Sequence, residues 1–401
     1  MNAGREDGRP RVALLSELPT PYRWPIFKRL LERDDLHLRI FFCAKTESDR
    51  SWKFDFQPDH RVRFLPVRTI TWEGRRTIHY HLNPSIVREL RRGGFDALVL
   101  PGYAMSASQL SALYCRLTKT PYVMFSETTQ LDRRPGPVRL LKKLLVRPLI
   151  AGAKAWLATG SLSRRYLVSY GAREDGIFSF PNTPDVAALS AQARGHRPER
   201  DRLRAQLGAG PAPVILFVAR LIGVKRCDLL LEAARGLRER GLAFSLWIAG
   251  DGPERIPLER TAREYGLTDV RFLGNVESSR LLALYASADL FVLPSDHEPW
   301  GAVVCEAAAC GLPLVLSDQV GAAPDLVTDG ESGYCFPSGD AGALQRALER
   351  LLEDPEQRKR MGARSAELVS VYTHEFLVRQ FLLALDRALS SGGKTCRPAV
   401  S

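Results

Sequence analysis

The stretch Ser295-Asp296-His297-Glu298-Pro299-Trp300-Gly301-Ala302-Val303-Val304-Cys305-Glu306 follows the apolar run Leu290-Phe-Val-Leu-Pro294, and its reading decides the fold. The apolar run is short enough for a buried strand, and a helix opens near Gly301. Seven residues separate the two glutamates. At about 3.6 residues per turn, Glu298 falls in the strand-to-helix loop and Glu306 roughly two turns along the helix. Open α/β sheets bind ligands at the carboxyl ends of their strands, so both carboxylates can face one crevice there. The plainer alternative is a helix-start carboxylate facing the dipole and an exposed helical glutamate.

Outward from that stretch the chain alternates strands and helices nearly throughout, which predicts parallel sheets covered by helices on both faces. In the carboxyl-terminal half, strands are expected at 214–218, 245–248, 270–273, 290–293, 314–316 and 334–336. Helices follow at 341–352, 356–369 and 374–389, then a loose tail from Ser390. In the amino-terminal half, strands are expected at 12–15, 38–42, 62–65, 97–100, 122–125, 155–158 and 177–180. The segment Asn182–Pro213 is polar and rich in Arg, Ala, Gly and Pro. It reads as an interdomain linker with one helical piece. The expected domains are residues 1–185 with about 374–390, and residues 186–373.

From Val214 to about Arg364 the chain resembles the carboxyl-terminal domain of retaining glycosyltransferases of family 4. The resemblance rests on Phe217-Val-Ala-Arg220-Leu-Ile-Gly-Val-Lys225, Ile248-Ala-Gly-Asp-Gly-Pro-Glu254 and Val270-Arg-Phe-Leu-Gly-Asn-Val276. The glutamate block, extended through Glu306-Ala-Ala-Ala-Cys-Gly-Leu-Pro-Leu-Val315, and Asp329-Gly-Glu-Ser-Gly-Tyr334 complete it. It implies the GT-B fold: two Rossmann-like, doubly wound parallel-sheet domains facing a cleft, with the last helix crossing back to the first domain.

The resemblance also implies roles. Arg220 and Lys225 would hold the diphosphate of a nucleotide-sugar donor, Glu298 the hydroxyls of the transferred sugar, and Glu306 the ribose hydroxyls. Fixed cations at a departing diphosphate stabilise the transition state more than the ground state. A carboxylate accepting two hydroxyls orients what it binds. The amides of Gly301 and Ala302, at a helix amino terminus, suit phosphate or sugar oxygens. Trp300 stands where the family often has Phe and is a candidate wall of the sugar pocket.

Gly250 and Asp251 resemble a turn lining the nucleotide pocket. The competing reading is a tight turn in which Asp251 caps a helix. Asn275 lies on a plausible base-binding edge. On the acceptor side, the loop 16–23 supplies Pro19, Thr20, Tyr22 and Arg23, with prolines where many family members have paired glycines. Glu127 is the nearest counterpart of a strand-end His in the family; it is a candidate to orient the acceptor or take its proton, or an ordinary surface carboxylate. No Asp-x-Asp triplet occurs, so metal-independent transfer is expected, with no cofactor beyond the donor substrate.

Composition bounds the rest. The 401 residues are 45% apolar and 25% charged, enough for two domains of ordinary size. No run of 18 apolar residues occurs, the first ten residues lack a signal-peptide core, and seven cysteines form no paired pattern, so a cytoplasmic protein is expected. The net charge of +12 is concentrated early: residues 1–190 carry 31 Lys/Arg against 18 Asp/Glu, or 31 − 18 = +13. Such a half favours anionic partners, including the inner face of a membrane; nucleic acid ranks last because no motif for it is present.

The segment 138–147 sharpens that expectation. In helical projection Val138, Leu140, Leu141, Leu144 and Leu145 fall on one side and Arg139, Lys142, Lys143 and Arg147 on the other, with Val146 out of place. One reading packs the leucines on the sheet; the other rests the helix on anionic lipid. The expected acceptor is a polysaccharide or lipid-linked glycan. A small-molecule acceptor, a GT-B epimerase or hydrolase, and a catalytically idle scaffold are the alternatives.

Overall fold

The computed structural model describes residues 8–46, 56–72, 78–129 and 136–391. The expected loose tail falls almost entirely outside these residues, as does most of the amino-terminal decapeptide. The chain divides into two compact units, Met1–Pro181 with His374–Ser401, and Asn182–Thr373.

The first unit is built on strands β1 (Arg11–Ser16), β2 (His37–Phe42), β3 (Val62–Phe64), β4 (Arg68–Trp72), β5 (Ile78–Leu82), β6 (Ala97–Pro101), β7 (Tyr122–Ser126), β8 (Ala155–Ala158) and β9 (Ile177–Ser179). Seven of them form a parallel sheet in the order β3-β2-β1-β6-β7-β8-β9. Alternate residues feed separate cores: Val12 and Leu14 pack on one face, Ala13 and Leu15 on the other. Burial on both faces is why these strands are continuous apolar runs. Helices Trp24–Leu31 and His374–Ser390 cover the first face, so the last helix returns to the first unit as expected. Helices Ile86–Gly93, Ser106–Thr118, Gly136–Ala151 and Ser161–Ser169 cover the second.

Two features depart from expectation. Strands β4 and β5 pair antiparallel and lie outside the apolar runs expected as strands. Their signal is alternation instead, with Thr69 opposite His81 and Thr71 opposite His79, each pair bonded between the threonine hydroxyl and the imidazole Nδ1 at 2.9 and 3.1 Å. The helix Gly136–Ala151 is turned over relative to the packing reading. Val146 and Ile150 are buried in the core, while Leu140, Leu141, Leu144 and Leu145 are 59–66% exposed.

The second unit carries β10 (Val214–Val218), β11 (Ser245–Ala249), β12 (Val270–Gly274), β13 (Leu290–Leu293), β14 (Leu314–Ser317) and β15 (Gly333–Phe336). All pair in parallel in the order β12-β11-β10-β13-β14-β15. The chain runs outward from β10 to β12 and then returns to place β13 against the other side of β10. That reversal is a topological switch point, and the crevice at such a point lies outside the carboxyl ends of the two flanking strands.

The segment 182–213 is part of this unit and not a free linker. Helices Val186–His196 and Arg200–Gln206 pack on helix Ser278–Ser287, and the first also meets helix Ala302–Ala309. Buried Arg204 donates to Asp289 Oδ2 at 2.7 Å, and Arg200 donates to Asp289 Oδ1 at 2.5 Å. The same Asp289 accepts from the Val214 amide at 2.7 Å, tying the segment to the start of β10.

Candidate functional site

Two loops meet at the switch point of the second sheet. The loop after β10 runs from Ala219 through a short 3-10 turn at Gly223–Lys225, and the loop after β13 runs from Pro294 to Gly301. The Asp296 amide donates to the Val224 carbonyl at 2.9 Å, so the loops are stitched through their backbones. Charge then doubles the stitch. Lys225 Nζ pairs with Glu298 Oε2, and Arg226 Nη1 pairs with Asp296 Oδ1 at 3.1 Å. Both partners in the Lys225–Glu298 pair are mostly buried, with side chains 14% and 17% exposed.

Arg226 sits in the left-handed region at φ 52° and also contacts Asp228 at 3.1 Å, so it anchors the loop from both sides. Its hydrogen bonds to Asp228, opposed by partial burial and aided by Asp296, hold its guanidinium above the ordinary arginine value. Arg226 and Asp296 were not singled out as site residues in the sequence. The signal was present as two adjacent cations facing two acids spaced by two, Lys225-Arg226 against Asp296 and Glu298.

Glu298 is held from behind by the loop after β14. Its amide donates to Gln319 O at 3.1 Å, and its carbonyl accepts from the Gly321 amide at 2.8 Å. The helix Ala302–Ala309 then begins at Gly301, whose φ of 98° lies in the left-handed region. A Cβ there would stand 3.0 Å from Val304 Cγ2 and 3.3 Å from Glu298 Cγ, so glycine is required both for the turn and for the approach of Glu298. Ala302 opens the helix and is partly exposed. Glu306, one turn further on, is half-buried and accepts from the Tyr285 hydroxyl at 2.9 Å. Tyr285 was likewise not among the expected site residues.

Arg220 lies just beyond β10, exposed at the carboxyl edge of the sheet. Beside it, the turn after β11 lies directly on the β10 loop: the Ala219 amide donates to Ala249 O at 3.1 Å and the Leu221 amide to Asp251 O at 2.9 Å. A Cβ on Gly250 would fall 1.8 Å from the Ala219 carbonyl oxygen, so close loop packing accounts for this glycine. Asp251 does not cap the following helix, whose first residue is Arg255 and whose N-cap is Glu254. Its carboxylate instead accepts from the Gly252 amide at 2.8 Å and from Arg255 at 2.9 Å. Those two bonds, the amide first, hold the Asp251 carboxyl below its ordinary range. Asn275 is exposed just past the edge strand β12, two strands away from the switch point.

Trp300 corrects an expectation. Its ring is 2% exposed and belongs to the core of the second unit, edge-on to Tyr372 at a centroid distance of 6.0 Å. It lies against Cys305, whose thiol burial pushes up to about 12. It is a foundation under the Glu298 loop and not a wall of a pocket.

In the first unit, the loop after β1 ends in a tight turn in which Thr20 O accepts from the Arg23 and Trp24 amides at 3.2 and 2.9 Å. Pro19 is buried, while Thr20 and Tyr22 are partly exposed. Arg23 is buried, lies 3.8 Å over the Phe125 ring centroid and pairs with Glu127 just past β7. Burial pulls the Arg23 guanidinium below its ordinary value against the opposing pull of Glu127 and Glu17. The structure thus joins two residues that the sequence reading named separately, Arg23 and Glu127, at the carboxyl edge of the first sheet.

Residues 199–368 match the family described as glycosyl transferases group 1. A D-inositol 3-phosphate glycosyltransferase from Frankia alni is 30% identical over 321 residues, 74% of this chain and 75% of that protein. An alpha-D-kanosaminyltransferase from Streptomyces kanamyceticus is 36% identical over 170 residues, 42% of this chain and 44% of its own length. A D-inositol 3-phosphate glycosyltransferase from Nocardia farcinica is matched over 57% of its length, so the chain spans about half of these last two relatives. Among solved structures, the Anabaena protein HepE in complex with UDP superposes with a TM-score of 0.71 at 18% identity, covering 94% of this chain and 99% of that one. The fold is therefore GT-B, and with the relatedness extending over three quarters of the Frankia protein, the chain belongs to the glycosyl transferases group 1 family.

Proposed function

We propose that this protein transfers a sugar from a nucleoside-diphosphate donor to an acceptor hydroxyl, with retention at the anomeric carbon and without a metal ion. The observation that carries the reading is the meeting of Lys225 and Glu298 at the switch point between β10 and β13. Cleavage of the glycosidic bond puts negative charge on the departing diphosphate as the anomeric carbon becomes cationic. Lys225, oriented by Glu298, and Arg220 on the same loop supply fixed positive charge for that phosphate, where preorganised electrostatics act most strongly. The amino terminus of helix Ala302–Ala309 adds the amides of Gly301 and Ala302. Glu298 accepts hydroxyls of the transferred sugar, and Glu306, steadied by Tyr285, accepts those of the ribose.

The first unit is assigned the acceptor, with Glu127 held by Arg23 as the group that orients the attacking hydroxyl or receives its proton. A polysaccharide or lipid-linked glycan is the proposed acceptor class, favoured by the basic character of residues 1–190. The UDP bound to HepE supports a nucleotide donor by analogy of fold.

Thermal melting in the presence of UDP, GDP, ADP and dTDP, and then of their sugar conjugates, tests the donor. A ligand specific for the folded state at a hundred times its Kd adds about 2.7 kcal/mol of stability. One base should stand out. No shift with any of the four overturns the reading, and release of free or epimerised sugar without acceptor assigns the site to hydrolysis or epimerisation instead.

A further inference from the structure

We propose that the outer face of helices Ser106–Thr118, Gly136–Ala151 and Ser161–Ser169 seats this protein on an anionic lipid bilayer. All three cover the same face of the first sheet, because their inward residues, among them Ala112, Val146, Ile150 and Leu167, share one core. Their outward residues therefore look the same way. Leu140, Leu141, Leu144 and Leu145 are 62, 59, 65 and 66% exposed, and Leu113 and Leu117 on the neighbouring helix are 52 and 77% exposed.

The geometry of Gly136–Ala151 is that of an interfacial helix. At 100° per residue the four leucines fill an arc of about 140°, with buried Val146 and Ile150 on the opposite side. Exposed Lys143 and Arg147 border one edge of the leucine arc, where their alkyl stems can lie along apolar surface while the charges reach outward. Across the three helices there are seven Lys/Arg, one, four and two in turn, and no Asp or Glu.

Charge selects the occupant. A second copy of the chain meeting this face two-fold would set cations against cations. Nucleic acid would engage the cations but gain nothing from six exposed leucines. An anionic bilayer satisfies both, taking the leucines into the acyl boundary and the cations into the headgroups. The contact lies on the bilayer, since among the described residues no helix is long and apolar enough to cross one.

The full chain should sediment with phosphatidylcholine vesicles containing phosphatidylglycerol and not with phosphatidylcholine alone, and added salt should release it. The double variant Leu141→Ser/Leu145→Ser should abolish sedimentation with an unchanged melting temperature. Lys143→Ala/Arg147→Ala should weaken it about 25-fold, at about fivefold per cation. No sedimentation with either vesicle, or sedimentation that ignores the leucine variant, overturns the proposal. A dimer that Leu141→Ser/Leu145→Ser dissociates overturns it too, by assigning the face to a second copy. The assay involves no turnover, so its outcome is separate from that of the donor reading.

Discussion

Lys225 and Glu298 form a pair whose two contributions, to folding and to chemistry, separate in a double-mutant cycle. Lys225→Met leaves a mostly buried carboxylate without its counter-ion, which costs about 3 kcal/mol. It also removes a cation from the departing phosphate, for an expected loss of about a hundredfold to a thousandfold in kcat/KM. Lys225→Met/Glu298→Gln should recover most of the stability in urea melts and none of the activity. Unchanged turnover in Lys225→Met would sink the site assignment. Gly301→Ala should cost about 1–2 kcal/mol, since an L-residue with a Cβ is held left-handed there, and should lower activity by displacing the Glu298 side chain it would touch. At this scale Lys225, Glu298 and Gly301 were legible, because loop position follows from the strand before and the helix after. The burial of Trp300 was not, since it depends on partners such as Tyr372, 72 residues further along the chain (372 − 300).

Elements packed against the sheet carry a pH-dependent clamp at Asp289. Burial acts to raise its carboxyl, but the Val214 amide, Arg200 and Arg204 outweigh it and hold the carboxyl below the ordinary range. A depressed folded-state value means the stabilisation is full above the unfolded value of about 3.9 and is lost as pH falls through the folded value. Asp289→Asn should therefore be less stable than the parent at pH 7 by chemical denaturation, and the gap should narrow below about pH 4. A gap that stays constant across that range would contradict the clamp. The polar composition of 182–213 concealed it: Arg200 and Arg204 looked like linker charges until Asp289 lay beneath them. The two readings of helix Gly136–Ala151 stay open in the sequence for a related reason. Periodicity finds an apolar stripe but not which way it faces, and here Val146 and Ile150, fewer than the leucines, are the residues in reach of the sheet. The β4–β5 pair shows the complementary gap, since two short strands that alternate Thr or His with other residues lack the continuous apolar run that marks a buried strand.

The whole molecule is tied through its discontinuous first unit. Leu377, Phe381, Leu385 and Leu389 on the final helix are at most 1% exposed, and the helix lies over β7, β8 and β9. Phe381 meets Phe180 at a centroid distance of 6.1 Å, and Arg387 pairs with Asp175 at 2.5 Å. Cutting the chain after Thr373 should remove the thermal transition of the first unit and leave that of residues 182–373, read by calorimetry. A truncated chain that retains both transitions would show the helix to be dispensable. The alternation of strands and helices made both sheets legible, because parallel strands buried on two faces must be apolar runs.

That closing helix also sets an order of events during synthesis. The ribosome issues the strands of the first sheet, and helix Trp24–Leu31 with them, well before the helix that completes the cover of one face. Residues 182–373 leave the tunnel complete in the meantime, so the part begun first is the part finished last. Until then its bare flank, with Phe180 at the rim, is the stretch of this polypeptide that a chaperone has most reason to hold.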